Sequence, residues 1–258
     1  MKNIEIGILN PEAIQDCENM AVAMARMTQH SVDIHNLQDL VNLIKQPYSE
    51  TFLHTLVTLP HPTLQKFGVI NVGIVGASRR FLAQITRHQN EVKFMSGSLQ
   101  YSDYTGNAQF VVPYEVTAMD AEHKGNAEFV DNYNTTQYLN SCNAALRDYE
   151  RAIEQGIPHD DAAYMMPQGL RNVLVISALP FQWAHMISQR ICNRNTSETQ
   201  YILLRIWEEL QKHTIMFDSI GAFCMTGRCL EGKMCCGTPL SGTPTQILNT
   251  KFKYIRGQ

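Results

Sequence analysis

The chain has 258 residues, of which 44% are hydrophobic and 17% charged, and its formal net charge is -3. It is long enough to bury a substantial core, and the slightly acidic balance excludes an overall basic nucleic-acid binder. The opening MKNIEIGILN carries Glu5 and no long apolar run, and no stretch approaches the roughly 18 apolar residues of a membrane span. The expected setting is the cytoplasm, with neither nucleic acid nor membrane as partner.

In chain order, Ile4 to Leu9 alternates apolar and polar residues and predicts a short strand. Pro11 opens a helix with Asn10 as its cap, and Ile14, Cys17, Met20, Ala21 and Met24 form its apolar stripe. A second helix is expected from Leu37 to Ile44, and Pro60-His61-Pro62 predicts an extended loop. Phe67 to Val75 is rich in β-branched residues and reads as a strand ended by Gly76. Ala77 to Thr86 has helical spacing at Phe81, Leu82 and Ile85, whereas Leu99–Tyr104 and Gln109–Val112 look extended. A long helix is predicted over Asn126 to Gln155, with an aromatic stripe at Phe129, Tyr133, Tyr138 and Tyr149 that reads as packing. Leu170 to Leu179 is a buried strand or helix start, Trp183–Cys192 and Thr199–Lys212 read as helices, and the chain after Gly237 reads as a loosely held tail. The pattern predicts an α+β fold, a central antiparallel or mixed sheet flanked by helices. The expected division is a main domain over 1–220 and a cysteine-rich appendage over 221–258.

The most concentrated chemistry lies between Ser78 and Tyr104. Arg79, Arg80, Gln84, Arg87, His88, Gln89, Lys93 and Gln100 are interleaved there with Ser96, Ser98, Tyr101, Ser102 and Tyr104. An isolated basic helix is most simply a solvated face. Here the donors continue into a Ser-Gly-Ser turn whose central glycine lets backbone N–H groups approach an anion. Guanidinium, amide and hydroxyl donors together suit a phosphate and a hydrogen-bonding heterocycle. No G-x-G-x-x-G or P-loop accompanies them.

These residues resemble the flavin-dependent thymidylate synthases. That family carries Arg-His-Arg, a spacer and Ser-x-Arg-Tyr, preceded by Ser-Arg and by a Gln three residues before the first Arg. The chain has Ser78-Arg79, Gln84, Arg87-His88-Gln89 and Ser98-Leu99-Gln100-Tyr101. Upstream, His61-Pro62-Thr63 is similar to the family's His-x-Ser/Thr; downstream, Arg194 followed six residues later by Gln200 is similar to its helix-terminal Arg and the Gln beyond it. The resemblance runs from about His61 to Leu210. The departures are Gln89 and Gln100 in place of arginines, a spacer one residue longer, and Ala162-Ala163-Tyr164-Met165-Met166-Pro167 where the family has Ala-Arg-x-x-Leu-Pro. Arg171 is the nearby substitute for that missing Arg.

The resemblance implies a homotetramer with sites between subunits that bind FAD, dUMP, NADPH and methylenetetrahydrofolate. It implies that Arg87, His88 and Gln89 contact the flavin, with Thr63 from another subunit. Gln84, Ser98 and Gln100 would contact the phosphate and sugar, Arg194 the pyrimidine, and His61 would lie near flavin and folate. Cys224, Cys229, Cys235 and Cys236 form a separate constellation, C-x4-C-x5-C-C. Four thiolates suit tetrahedral zinc, while the absence of C-x2-C pairs leaves free thiols in a redox-sensitive tail as the other reading. The functional expectation is methylation of dUMP to dTMP. The alternatives are a related flavoenzyme making another C5-modified uracil nucleotide, such as the hydroxymethyl product, and a non-catalytic metal-binding or interaction protein on the same scaffold.

Overall fold

The computed structural model describes residues 1, 3–126 and 130–256, so Phe129 lies outside the described residues. Four strands, β1 (Glu5–Ile8), β2 (Ile70–Ser78), β3 (Val92–Ser96) and β4 (Arg171–Ala178), form one antiparallel sheet in the order β1-β2-β4-β3. The helices are α1 (Glu12–Gln29), α2 (Leu37–Ile44), α3 (Glu50–Thr58), α4 (Arg79–Ile85), α5 (Tyr114–Glu122), α6 (Tyr133–Glu154), α7 (His159–Ala162), α8 (Pro180–Arg190), α9 (Ser197–Gln211), α10 (Phe223–Thr226), α11 (Pro244–Lys251) and α12 (Lys253–Arg256). The α+β expectation holds, and the sheet is wholly antiparallel.

Period-two patterning decides which sheet face is covered. Ile70, Val72 and Ile74 of β2 stand opposite Ala178, Ile176 and Leu174 of β4 in register, and all six are buried. Apolar residues of α8 and α9, among them Trp183, Ile187, Ile202, Leu203 and Trp207, belong to the same core. Trp183 donates its indole N–H to the Ile70 carbonyl at 3.0 Å, which satisfies the one polar atom of that buried ring. On the opposite face Val75, Val173 and Met95 remain exposed.

Several elements depart from expectation for local reasons. β2 does not end at Gly76: the glycine takes a φ of +88° at a register shift between Val75 and Ala77, and pairing resumes through Ser78. Asn10 does not cap α1. Its side chain instead accepts from Asn71 N–H at 2.7 Å and donates to the Val69 carbonyl at 2.9 Å, tying the start of the helix to β2. The residues after Pro62 form a 3-10 turn, and α3 and α5 are additional helices, α3 being capped by the Ser49 hydroxyl. Leu99 and Gln100 turn rather than extend, since the Ser98 hydroxyl accepts from the N–H groups of Gln100 and Tyr101 at 3.0 and 3.3 Å. Only an isolated bridge, Phe110 to Leu170, represents the strand expected near Gln109–Val112.

The tail expectation is corrected for residues 244–256. α11 opens with Pro244 behind a Thr243–Gln246 capping box, and Ile247, Leu248, Phe252 and Ile255 are buried in the main core. Among the described residues no helix is long and apolar enough to cross a membrane.

Candidate active site at the ends of helices α4 and α8

Ser78 starts the site. Its hydroxyl accepts from Phe81 N–H at 3.1 Å, the N-cap of α4, and donates to Glu198 at 2.5 Å, while Ser78 N–H donates to the same carboxylate at 2.8 Å. Burial raises the Glu198 pKa, and the two Ser78 bonds oppose that rise. α4 is further pinned by Arg79 and Arg80, whose backbone N–H groups donate to the Leu170 and Gln168 carbonyls. The Arg79 guanidinium reaches the Gly97 carbonyl at 2.9 Å and so joins the start of α4 to the Ser96–Ser98 turn. A side chain at Gly97 would strike Asn172 Oδ1 at 2.7 Å. Both amide atoms of Asn172 are buried without a hydrogen-bond partner, which leaves an unsatisfied donor and acceptor beneath that turn.

At the other end of α4 the chain presents Arg87, His88 and Gln89 in succession. Arg87 and Gln89 are exposed, and His88 is half-buried. The Arg190 Nε–H donates to His88 Nε2 at 2.7 Å, so His88 acts there as a neutral acceptor. Burial, the Arg190 charge and His185 together push the His88 pKa down to about 4. His185 meets His88 edge-on with ring centroids 6.0 Å apart. Burial, then the Arg87 charge, lowers the Arg190 pKa.

Arg190, not Arg194, ends α8. The chain then turns through Cys192 to Thr196: Asn195 donates to the Gln189 carbonyl at 2.8 Å and accepts from Arg190 Nη1 at 3.4 Å. Gln200 donates to the Ile191 carbonyl and to Asn193 Oδ1, and Lys251 also donates to Asn193 Oδ1 at 2.6 Å. Exposed Arg194 and half-buried Arg190 share the lining of a cavity of about 540 Å³. Sequence reasoning missed Arg190. The available signal was its place in the last turn of a helix, where a cation complements the dipole.

The other expected site residues lie elsewhere in the single chain. His61 and Thr63 are exposed and line a different cavity of about 530 Å³, with Met24, Leu56 and Phe67. Arg171 is turned toward the N-terminal segment, donating to the Asn3 carbonyl at 2.9 Å and to Gln109. It lines a third cavity and is not gathered with His88. Gln84 is half-buried on α4, and Gln100 is exposed beyond the Ser98 turn. The expected zinc site is not assembled: among the described residues no group of three or more His, Cys, Asp or Glu is placed to hold a metal ion. The reason is local. The Cys236 sulfur is engaged by Thr238, whose N–H and hydroxyl donate to it at 3.4 and 3.3 Å.

The family model of the thymidylate synthase complementing protein matches residues 12–214. A flavin-dependent thymidylate synthase of Geobacter sulfurreducens is 25% identical over 227 residues, covering 86% of this chain and 90% of the relative. One from Thermococcus onnurineus is 22% identical over 194 residues, covering 72% and 74%. Among solved structures, thymidylate synthase X from Helicobacter pylori with FAD and dUMP has a TM-score of 0.58 at 18% identity, covering 83% of this chain and 97% of that one. The UMP/dUMP methylase PolB from Streptomyces cacaoi, bound with 5-Br dUMP, has a TM-score of 0.59 at 15% identity, covering 83% and 93%. These structural likenesses establish a common fold.

Proposed function

The chain belongs to the thymidylate synthase complementing protein family, and from that premise we propose that it is an FAD-dependent thymidylate synthase. It would convert dUMP to dTMP in the cytoplasm, with methylenetetrahydrofolate as carbon donor and NADPH as reductant. The observation that carries this reading is the bond between His88, at the exit of α4, and Arg190, at the end of α8. It joins the two segments in which the family resemblance concentrates.

The donor set suits a flavin nucleotide. Arg87 offers an exposed charge for a diphosphate, and exposed Gln89 adds an amide. FAD, when bound, supplies the hydride chemistry, and the protein supplies orientation and electrostatics. Arg190 takes the place expected of the helix-terminal arginine, with Arg194 beside it at the cavity rim. Neutral His88 accepts one N–H of Arg190 and fixes the guanidinium plane. The remaining N–H groups can then face a pyrimidine carbonyl, where charge develops as a carbon unit is added at C5. Gln84, Ser98 and Gln100 would hold the phosphate and sugar. Gln100 brings no charge, and Arg79 is engaged at Gly97, so phosphate neutralisation falls to exposed Arg80 and Lys93.

His61 and Thr63 would complete the site from a neighbouring subunit of a homotetramer. Their separation from His88 within one chain and the exposed Val75, Val173 and Met95 on the open sheet face support that assembly. The unit over 1–220 would carry catalysis and the 221–258 segment would form a wall; the family match ends before that segment begins.

A second reading rests on Gln89 and Gln100: a flavoenzyme that leaves a different group, such as hydroxymethyl, at uracil C5. Anaerobic incubation with FAD, NADPH, dUMP and methylenetetrahydrofolate separates the two by product mass. dTMP supports the first reading, a hydroxymethyl product supports the second, and a colourless protein without turnover removes both.

A further inference from the structure

The loop that leaves α4 carries Arg87, His88 and Gln89, and α8 holds it at both ends. At the C-terminal end of α8, Arg190 donates to His88 at 2.7 Å. In the first turn of α8, Gln182 Nε2 donates to Glu91 Oε2 at 3.2 Å. The same carboxylate oxygen accepts from Lys66 Nζ at 3.3 Å. Lys66 directly follows the 3-10 turn over Pro62–Gln65, and its ammonium lies 5.2 Å from the centre of the Phe181 ring. One exposed side chain thus ties the loop to α8 and to the segment beyond Thr63. Taken alone, the Lys66–Glu91 pair is partly exposed and contributes little. The Gln182 bond weighs more, because Gln182 is buried and its amide N–H would lose an acceptor. Glu91 holds its place in a strained conformation. Its φ is +54°, in the left-handed region that side chains disfavour. A glycine would make this turn without the strain. The turn itself does not call for a glutamate; the bonds of its carboxylate do.

We propose that Glu91 is the positioning residue of the Arg87–Gln89 loop, holding it against α8 so that Arg87 and Gln89 are presented to a phosphate-bearing ligand. His88 is the staple at the near end of the loop and Glu91 the staple at the far end. The backbone is anchored on either side, by His88 N–H on the Ile85 carbonyl at 3.1 Å and by the pairing of β3 from Val92 onward. Between those anchors Glu91 is held by its side chain. With the far staple released, the loop pivots about the end of α4, and the His88–Arg190 bond loosens. Glu91 touches no reacting group and acts through His88 and Arg87. FAD as the ligand rests on the functional reading above; the staple itself does not.

The test compares Glu91→Gly with Glu91→Gln in the full chain. Glycine relieves the strain and removes both side-chain bonds. Glutamine keeps the strain and an oxygen that accepts from Gln182. The first readout needs no cofactor: the His88 ring protons are followed by NMR as pH is varied, with His88→Gln identifying their signal. Burial, the Arg190 charge and His185 hold the His88 pKa down to about 4 while the loop is closed. In Glu91→Gly it is expected to rise toward the ordinary value of about 6.5, and in Glu91→Gln to stay close to wild type. Gln182→Leu removes the donor and leaves Glu91 in place, so it should reproduce the rise and decides the matter if Glu91→Gly does not fold. The second readout is FAD affinity by equilibrium dialysis. Glu91→Gly is expected to bind roughly tenfold more weakly, the loss of one charge-assisted hydrogen bond, and Glu91→Gln to restore most of the affinity. A wild-type His88 that already titrates at about 6.5, a His88 titration unchanged in Glu91→Gly and Gln182→Leu, or FAD bound equally by wild type and Glu91→Gly overturns the proposal. Wild type that binds no FAD counts against the functional reading, and the His88 titration then still decides the staple.

Discussion

The junction of α4 and α8, which carries Arg190, and the segment from Phe223 to Pro239, which lines the cavity beyond it, are held differently. At the junction every contributor stands on or beside an element buried in the sheet core. Ser78 caps α4 and grips Glu198, Arg79 spans to Gly97, and Arg190 is the last residue of a helix anchored by Trp183. In the cysteine-rich segment α10 has no buried residue, and most supporting bonds are turns only a few residues long; from outside it, Asn193 donates to the Thr238 carbonyl at 2.7 Å, and Cys224 and Met225 pack partly buried against the core. Precise placement of a guanidinium needs the first kind of support; the second kind opens at lower free-energy cost.

Truncation within the segment, set against truncation in the buried core that follows it, is the strongest way to break this contrast. Phe252→Ala removes a fully buried ring behind α11 and is expected to cost about 3–5 kcal/mol. Leu230→Ala, 70% exposed in the segment itself, is expected to stay within about 0.5 kcal/mol. Urea unfolding measures both, and equal losses would erase the distinction. Next, Arg190→Ala should lower turnover on the order of 10²–10³-fold if its N–H groups stabilise developing charge. Arg194→Ala should lose less, and Arg228→Ala least. Steady-state rates under anaerobic conditions give the order, and a larger loss at Arg194 would move the assignment to the cavity rim.

The order of elements was largely legible in the sequence because the strands and helices that build the core carry clean period-two or helical patterns. β3 was not foreseen, although Val92 and Phe94 alternate with exposed Lys93 and Met95. The polar residues that follow draw attention to Leu99–Tyr104 instead, where a single Ser98 hydroxyl turns the chain. Arg87 and His88 were legible from their spacing. Arg190 was not, because the end of α8 is set by a side-chain bond from Asn195 to the Gln189 carbonyl that no periodicity reveals. The packing of α11 was hidden by its Thr-, Pro- and Gly-rich approach, although Thr243-Pro244 and Gln246 spell a helix start.

Two smaller effects sharpen the account of the junction. Ser78→Ala removes the cap of α4 and should cost about 1 kcal/mol or somewhat more, with a corresponding drop in urea midpoint; no change would show that the hydroxyl's bonds to Phe81 and Glu198 are dispensable. The pH dependence of His88 has a definite sign. Its pKa is depressed in the folded chain to about 4, so between the ordinary value near 6.5 and that level the unfolded chain binds the extra proton. Stability is therefore expected to fall as pH is lowered from about 6.5 toward 4. His88→Gln should flatten that slope, and an unchanged slope would mean that His88 is not shielded by Arg190.

The most direct measurement is carbon transfer itself. Purified protein with FAD and NADPH is given dUMP and methylenetetrahydrofolate labelled in the transferable carbon, under anaerobic conditions. The account predicts labelled dTMP from wild type and a sharply reduced amount from Arg190→Ala. Absence of labelled dTMP from a flavin-loaded wild type, or equal amounts from both proteins, would contradict it.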